Sequence, residues 1–315
     1  MHPVARAASV VGAVGAAGLA YASLVERNAY ALRRVTVPVL SAGHRPLRVV
    51  HVSDLHLMPG QRRKAAWVAA LADLRPDLVV NTGDNISHPD AIPLALEAFS
   101  AFEGVPGVFV MGSNDYFVPQ PKNPFLYLLP PRPPAPSRSP RLPTEDLVKG
   151  MLDLGWTDLT NTRATLAVAG SPVEFVGVDD PHLKYDRYGL VEGPFSPEAE
   201  LRVGVTHAPY QRILDAMTRD GAELVLAGHI HQSTVAERRE FELASPEGEH
   251  AVVVSIAPGF GQPRPNRRGE ARGLHVYEIE AEALRILTYI WREDGWGLTA
   301  VRTFPRGREP LAFER

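Results

Sequence analysis

The sequence predicts an α/β protein with a mostly parallel sheet, and three observations predict it. In the first half, short Val/Leu-rich runs alternate with helical patterns in the order β-α-β-α-β. The second half repeats this style, which fits two sheets packed face to face with helices outside. Five apolar runs also close on Asp, Asn or His: Leu47 to His56, Leu78 to Asp84, Val108 to Asp115, Val203 to His207 and Leu224 to His231. Such a run is a buried strand delivering a polar side chain to its C-terminal edge, where open α/β sheets place their sites. Five in one chain describe a metal cluster built across a sheet.

The elements follow in order. A lead-in over residues 28–45 carries one strand, Val35 to Leu40, and the strand Leu47–Val52 comes next. A helix over Arg62–Leu74 is expected from Ala66, Ala69, Ala70 and Leu74 at helical spacing, with Pro76 marking its end. The strand Leu78–Val80 precedes a loop with His88-Pro89. A second helix covers Pro93–Phe102, since proline is tolerated in a first turn. The strand Val108–Met111 then runs into Gly112-Ser113-Asn114-Asp115. Thr144 reads as the cap of a short helix with Glu145 and Asp146 in its first turn, closed by Gly155. Strands are expected at Ala164–Val168 and Val173–Val178, with Gly170-Ser171-Pro172 as the turn. Val203–Val205 and Leu224–Leu226 flank a helix around Tyr210–Arg219, and Val252–Ile256 and Leu274–Ile279 are late strands.

Composition excludes several classes. The 315 residues suffice for one large domain or two small ones, and 45% hydrophobic content supports a sizeable core. With 33 basic against 36 acidic residues, the net charge is −3, so there is no nucleic-acid-binding footprint. The chain has no cysteine, so a metal site must use His, Asp, Asn and water.

Two segments stand apart from the main domain over 46–315. The first, 1–27, contains Ala7 to Val25, nineteen uncharged residues of which ten are Ala or Gly. That length just spans a bilayer. A membrane anchor, a cleaved signal ending at Ala20-Tyr21-Ala22 and an Ala-rich helix packed on the domain all fit. For an anchor, Arg27, Arg33 and Arg34 follow the segment and Arg6 precedes it, which favours a cytoplasmic catalytic domain; secreted or soluble cytoplasmic protein is the alternative. The second is an insertion over 119–143, where ten of 25 residues are Pro around an apolar stretch, Phe125 to Leu129. It reads as a surface linker with polyproline character, or as a lid facing substrate.

The residue types at the strand ends suggest chemistry. Asp54 and His56 are two apart, so on extended backbone they face the same way. A carboxylate with an imidazole suits Mn, Fe or Zn better than Ca or Mg. Asp84 after Gly83 is by itself a turn former. His229 and His231 are again two apart, after Gly228, and His207 alone reads as a satisfied polar residue. Asp179, Asp180 and His182 either line the site from the second sheet or form a capped turn. Arg264, Arg267 and Arg268 read as a solvated basic loop or a phosphate grip. Gly259-Phe260-Gly261 permits close packing beside the site.

Together these residues resemble a known family. Ser53-Asp54-Leu55-His56, Thr82-Gly83-Asp84, Gly112-Ser113-Asn114-Asp115, Thr206-His207-Ala208-Pro209 and Gly228-His229-Ile230-His231 are similar to the ordered blocks of the calcineurin-like metallophosphoesterases. Those blocks are D-x-H, G-D, G-N-H-D/E, a lone H and G-H-x-H, and the resemblance covers about residues 47 to 260. The S-D-L-H-L and G-H-x-H wording resembles the bacterial membrane-associated phosphohydrolase branch. The resemblance implies a four-layer α/β/β/α sandwich, two mixed sheets flanked by helices, with two divalent metals sharing one carboxylate. Asp54, His56 and His231 would hold the first metal, Asp84 would bridge, and His207 and His229 would hold the second. Mn is favoured over Fe or Zn. A metal-bound hydroxide would then attack a phosphomonoester or phosphodiester in line. The substrate would be a phosphate ester, with lipid and nucleotide phosphates among the classes, and the N-terminal segment would contact the membrane.

The third block departs from the family pattern. Aligned without a gap, Ser113 takes the place of the metal-binding Asn, and Asn114 that of a His that stabilises or protonates the leaving group. Shifted by one residue, Asn114 is the ligand and Asp115 takes the His place. Asn114 is favoured as ligand, because an Asn carbonyl is a usual metal donor and a neutral Ser hydroxyl a poor one. Asn114 and Asp115 are therefore the expected catalytic residues of the block. The leaving group must be good, or take its proton from water or another His such as His88 or His182, both of which read more simply as loop residues. The rival reading is a binding protein that kept the fold and lost efficient catalysis.

Overall fold

Alternation of side chains along the strands sorts the core into layers. The computed structural model describes residues 30–35, 47–119, 139–230, 234–237, 252–257, 272–279, 283–292 and 295–305. On strand β2 (Leu47–Val52), Val49 faces the second sheet while Val50 and Val52 face helices; on β3 (Leu78–Asn81), Leu78 and Val80 face the second sheet and Val79 the helices. Period-two alternation thus buries both faces of one sheet in different cores.

The first sheet has the order β14-β13-β1-β12-β2-β3-β4-β5. Its remaining strands are β1 (Tyr30–Val35), β4 (Gly107–Phe109), β5 (Thr157–Asp158), β12 (Arg272–Ile279), β13 (Ala283–Arg292) and β14 (Gly295–Pro305). From β2 to β5 all pairs are parallel, while β12 joins β2 antiparallel. The second sheet has the order β10-β11-β9-β8-β7-β6. Its strands are β6 (Thr162–Val168), β7 (Ser171–Gly177), β8 (Leu201–Val205), β9 (Leu224–Ala227), β10 (Thr234–Glu237) and β11 (Val253–Ile256). Here β7, β8, β9 and β11 run parallel, with antiparallel β6 and β10 at the edges. Both sheets are mixed.

Helices α1 (Arg62–Ala69), α2 (Ile92–Ser100) and α4 (Thr144–Asp153) cover the first sheet. Val68, Phe99 and Met151 pack there with Val50, Val79 and Phe109. Helix α5 (Gln211–Arg219) covers the second sheet through Ile213, Leu214 and Met217 against Val176, Val225 and Val254. Phe175, Val203 and Leu226 meet Val49, Val80 and Val108 between the sheets. The result is an α/β/β/α sandwich.

Several boundaries differ from expectation, each for a reason of local geometry. The helix from Arg62 turns 3-10 over Ala70–Leu74 and stops at Arg75, whose φ is 51°. A strand not expected from the sequence covers Tyr30–Val35, placed by pairing with β12 and β13, while residues 36–40 of the expected early strand lie outside the described residues. The β6–β7 turn is the dipeptide Ala169-Gly170, both at positive φ, and Ser171 already pairs with Val168. Thr144 is not a cap: its hydroxyl donates to the Asp115 carbonyl at 2.6 Å, and Pro143 stands at the helix start. Gly155 does close α4, with φ 83°.

Residues 120–138 of the Pro-rich insertion lie outside the described residues, but its ends are clamped. Phe117 and Arg141 form a bridge, and Val118 N–H donates to the Pro140 carbonyl at 2.9 Å. The segment Ala7–Val25, Gly259 to Gly261, the three arginines 264, 267 and 268, and His231 also lie outside the described residues. Among those described, no helix is long and apolar enough to cross a membrane.

Candidate metal centre

The parallel ladder between β2 and β3 does not stop where the strands do. Asp54 N–H donates to the Gly83 carbonyl at 2.9 Å, His56 N–H to that of Asp84 at 2.8 Å, and Leu57 N–H to that of Asn85 at 2.9 Å. The two loops therefore remain zipped to a final bridge between Leu57 and Ile86. Within them Asp54, His56 and Asp84 take left-handed backbone, with φ of 54°, 44° and 56°, and His229 follows at 69°. Each such residue costs about 1–3 kcal/mol and persists only where its surroundings impose it.

One donor atom from each of Asp54, His56 and Asp84 can be chosen so that all lie within 4.8 Å of one another. Asp84 Oδ2 is 3.5 Å from His56 Nε2 and 3.5 Å from His207 Nε2. The second sheet brings His207 from the end of β8 and His229 from the end of β9, with His229 Nδ1 at 3.3 Å from His207 Nε2. The His229 N–H donates to both Asp54 oxygens at 3.1 Å, tying the sheets together across the site. Six expected residues, Asp54, His56, Asp84, Asn114, His207 and His229, thus converge.

The third block resolves into a short helix, α3 (Ser113–Tyr116), capping the site. Asn114 reaches Asp84 twice: its N–H donates to Oδ1 at 2.7 Å and its Nδ2 to Oδ2 at 2.6 Å. No such bond joins Ser113 to Asp84. Asp115 is the other residue of the block expected to be catalytic. It is fully buried, and its carboxylate accepts N–H bonds from Gly112 (3.0 Å), Asp84 (2.8 Å), Asn85 (2.7 Å) and Ile86 (3.3 Å). It also accepts the Asn85 side-chain amide at 3.2 Å. Surrounded by backbone amides, it holds the Asp84 loop.

Two glycines are required by this closeness. A Cβ on Gly112 would sit 2.6 Å from Asp84 N and 2.7 Å from His207 Cε1. One on Gly228 would sit 2.6 Å from Asp54 Oδ2, whose own partner is the Ser53 hydroxyl at 2.5 Å.

The electrostatics ask for a cation. Burial opposes charge on Asp84, but His207 and its hydrogen bond, then His56 and the Asn114 N–H, hold its carboxyl well below the usual range. Burial likewise opposes a proton on His207, yet Asp84 raises its pKa well above the ordinary value. Burial and then His207 push His229 down to about 4. Burial and then the Asp84 charge push Asp115 up to about 7, against the N–H bonds from Gly112 and Asn85. Among the described residues, the cationic partners of Asp84 are imidazoles. A proton on His207 and a cation between the rings are alternative ways of balancing the same buried charge.

The donor set fits a divalent metal. His207 Nδ1 lies 2.7 Å from the Thr82 carbonyl, which can only accept, so Nδ1 carries the hydrogen and Nε2 presents its lone pair. Asp180, also fully buried, uses one oxygen to accept the His182 N–H at 2.8 Å; its other oxygen has no hydrogen-bond partner among the described residues.

Some supporting groups were not singled out from the sequence. Thr82 joins two histidines, its carbonyl holding His207 and its hydroxyl lying 2.9 Å from His51 Nε2. Lys64, almost fully buried, donates to the Leu55 carbonyl at 2.6 Å, between the two strained residues. A polar His or Lys inside an apolar pattern was the available signal for both. His88 accepts the Asp90 N–H at 3.2 Å at the start of a 3-10 turn, which makes it a capping residue.

Residues 47–233 match the family model described as calcineurin-like phosphoesterase, and the chain belongs to that family. No curated protein matches the chain. Among solved structures, the purple acid phosphatase PPD1 from yellow lupin (Lupinus luteus) seeds is 11% identical with a TM-score of 0.51, covering 85% of this chain and 55% of that one. That similarity supports the same fold. A dimetal phosphatase from Danio rerio is 12% identical, covering 83% and 99%, with a TM-score of 0.47. The phosphopantetheinyl hydrolase of Mycobacterium tuberculosis is 14% identical, covering 75% and 96%, with a TM-score of 0.41.

The glycine contacts predict that Gly112→Ala displaces the Asp84 loop. Overpacking should cost about 1–3 kcal/mol of stability, and calorimetric titration with Mn should show weakened binding.

His51 predicts a pH dependence. Burial, opposed by the Asp54 charge, lowers its pKa from 6.5 to about 3. The unfolded chain takes up a proton near pH 6.5 that the folded chain refuses until about pH 3, so stability falls as pH drops through this window. The slope from this one group is about 1.4 kcal/mol per pH unit. Urea unfolding of metal-free protein at pH 7.5 and pH 5 should show a smaller difference for His51→Gln than for the wild type.

Proposed function

We propose that the protein is a dinuclear metal-dependent phosphoesterase that hydrolyses a phosphomonoester or phosphodiester. The observation that carries this reading is the position of Asp84 Oδ2, 3.5 Å from one imidazole of each sheet. A carboxylate so placed can serve two cations at once. In this reading Asp54 and His56, with His231, hold one metal, and Asn114, His207 and His229 hold the other, with Asp84 between. Carboxylate, amide and imidazole donors without thiolate support Mn, Fe or Zn, with Mn favoured. When bound, the pair would supply Lewis acidity toward the phosphate oxygens and acidify the attacking water.

The chain's own residues do the arranging. Asp115 holds the Asp84 loop, Thr82 fixes the His207 tautomer, Lys64 secures the Asp54–His56 turn, and the Asn114 amide orients Asp84. The rival, a fold-preserving binding protein, draws on the Ser113-Asn114 departure. Asn114 bonded to Asp84 supports the enzyme instead, because a usual donor type remains beside the shared carboxylate. The apolar Ala7–Val25 segment supports action at a membrane surface on the cytoplasmic side, with lipid phosphates among the substrates to screen.

Two outcomes test this. Elemental analysis of the wild type should give two equivalents of metal. Asp84→Asn should lower both and cut aryl phosphate hydrolysis by more than the about 10–100-fold typical of outer-shell changes. Two full equivalents retained in that variant would refute the bridge. Deleting residues 1–27 stops short of β1, which begins at Tyr30, and should release soluble, active enzyme. Full-length protein equally soluble without detergent would favour the packed-helix or cleaved-signal alternative.

A further inference from the structure

The β7–β8 and β8–α5 connections build an arm that the metal-centre assignment leaves unused. The loop after β7 is tightly determined. Tyr116 Oη donates to Asp179 Oδ1 at 2.8 Å, the Asp180 N–H donates to the same oxygen at 2.7 Å, and the His182 N–H donates to Asp180 Oδ1 at 2.8 Å. This sets the His182 ring against His229, with centroids 4.7 Å apart. His182 Nδ1 meets Tyr210 Oη at 3.2 Å. Tyr210, just before α5, is 41% exposed, and the Arg212 guanidinium lies 6.0 Å from its ring centre. Arg212 is itself held by both oxygens of Asp186.

In the tautomer in which Tyr210 donates to Nδ1, the His182 hydrogen resides on Nε2. That nitrogen has no hydrogen-bond partner among the described residues. It belongs to an exposed imidazole packed on His229, and the third block supplies Asn114 and Asp115 but no imidazole. From this geometry we infer that His182 contacts the substrate, donating from Nε2 to a phosphoryl or leaving-group oxygen, and that Tyr210 is its positioning residue. The inference rests on the phosphoesterase reading and names the residue that fills the gap left by Ser113-Asn114.

The test uses the full-length, Mn-loaded protein and inorganic phosphate as probe. Calorimetric titration should show His182→Ala binding phosphate about tenfold or more weakly than the wild type, the usual worth of a hydrogen bond to a charged group. Its metal content by elemental analysis should be unchanged. Tyr210→Phe should weaken phosphate binding by a few-fold, and this effect should vanish in the His182→Ala background, since the two act as one unit. Across a series of aryl phosphates, His182→Ala should depend more steeply on leaving-group acidity than the wild type. Phosphate affinity within twofold of wild type in His182→Ala would overturn the inference. So would metal loss in proportion to phosphate loss, which would make the ring a mere support for His229, and so would a wild type that binds no phosphate. A wild type that hydrolyses no ester yet binds phosphate through His182 would sink the catalytic reading and leave the contact standing.

Discussion

The buried Asp115 carboxylate, enclosed by the backbone N–H groups of Gly112, Asp84, Asn85 and Ile86, is the constraint on which the rest of the site depends. A carboxylate fully removed from water is costly unless its oxygens are satisfied. Here the amides that satisfy it belong to two separate strand ends. Its desolvation is therefore offset only when the β3 and β4 loops lie together. Their closeness brings Asn114 onto Asp84 and leaves no room for a side chain at position 112. The strained backbone at Asp84 is stabilised by the same contacts, so its carboxylate is held in place by the fold itself.

The two sheets divide the remaining work. The first supplies the carboxylates, on loops zipped by continued parallel hydrogen bonding. The second supplies His207 and His229 from adjacent parallel strands. The link between them runs through main-chain groups: the Thr82 carbonyl orients His207, and the His229 N–H closes on Asp54. Relative movement of the sheets would break these bonds, so the inter-sheet core of Phe175, Val203, Val80 and Val108 keeps the site in register.

The charge pattern follows from that geometry. Buried acids and imidazoles at this spacing perturb each other strongly, pushing Asp84 down, His207 up and His229 down. Among the described residues the cationic partners of Asp84 are imidazoles, so a proton and a cation are alternative ways of balancing its charge. The departure at Ser113-Asn114 preserves this balance, because Asn114 keeps an amide beside the Asp84 carboxylate.

The sequence by itself determined the parallel βαβ order, the strand ends that carry the candidate site and the polar residues that converge there. Period-two apolar runs and their terminal Asp, Asn and His are local patterns with few alternatives. It also carried the glycine positions, since Gly83, Gly112 and Gly228 precede the site residues directly. Only the tertiary structure decided which groups Asp115, Thr144, His51 and His182 meet. Asp115 reads from the sequence as one residue of the catalytic block; that the amides of a loop about thirty residues away enclose it is a tertiary fact. Thr144 reads as a cap until the Asp115 carbonyl is found beside it. The placement of β1 depended on partners at the far end of the chain. Which partner meets a polar group across the fold is a nonlocal question, and local propensity holds no information about it.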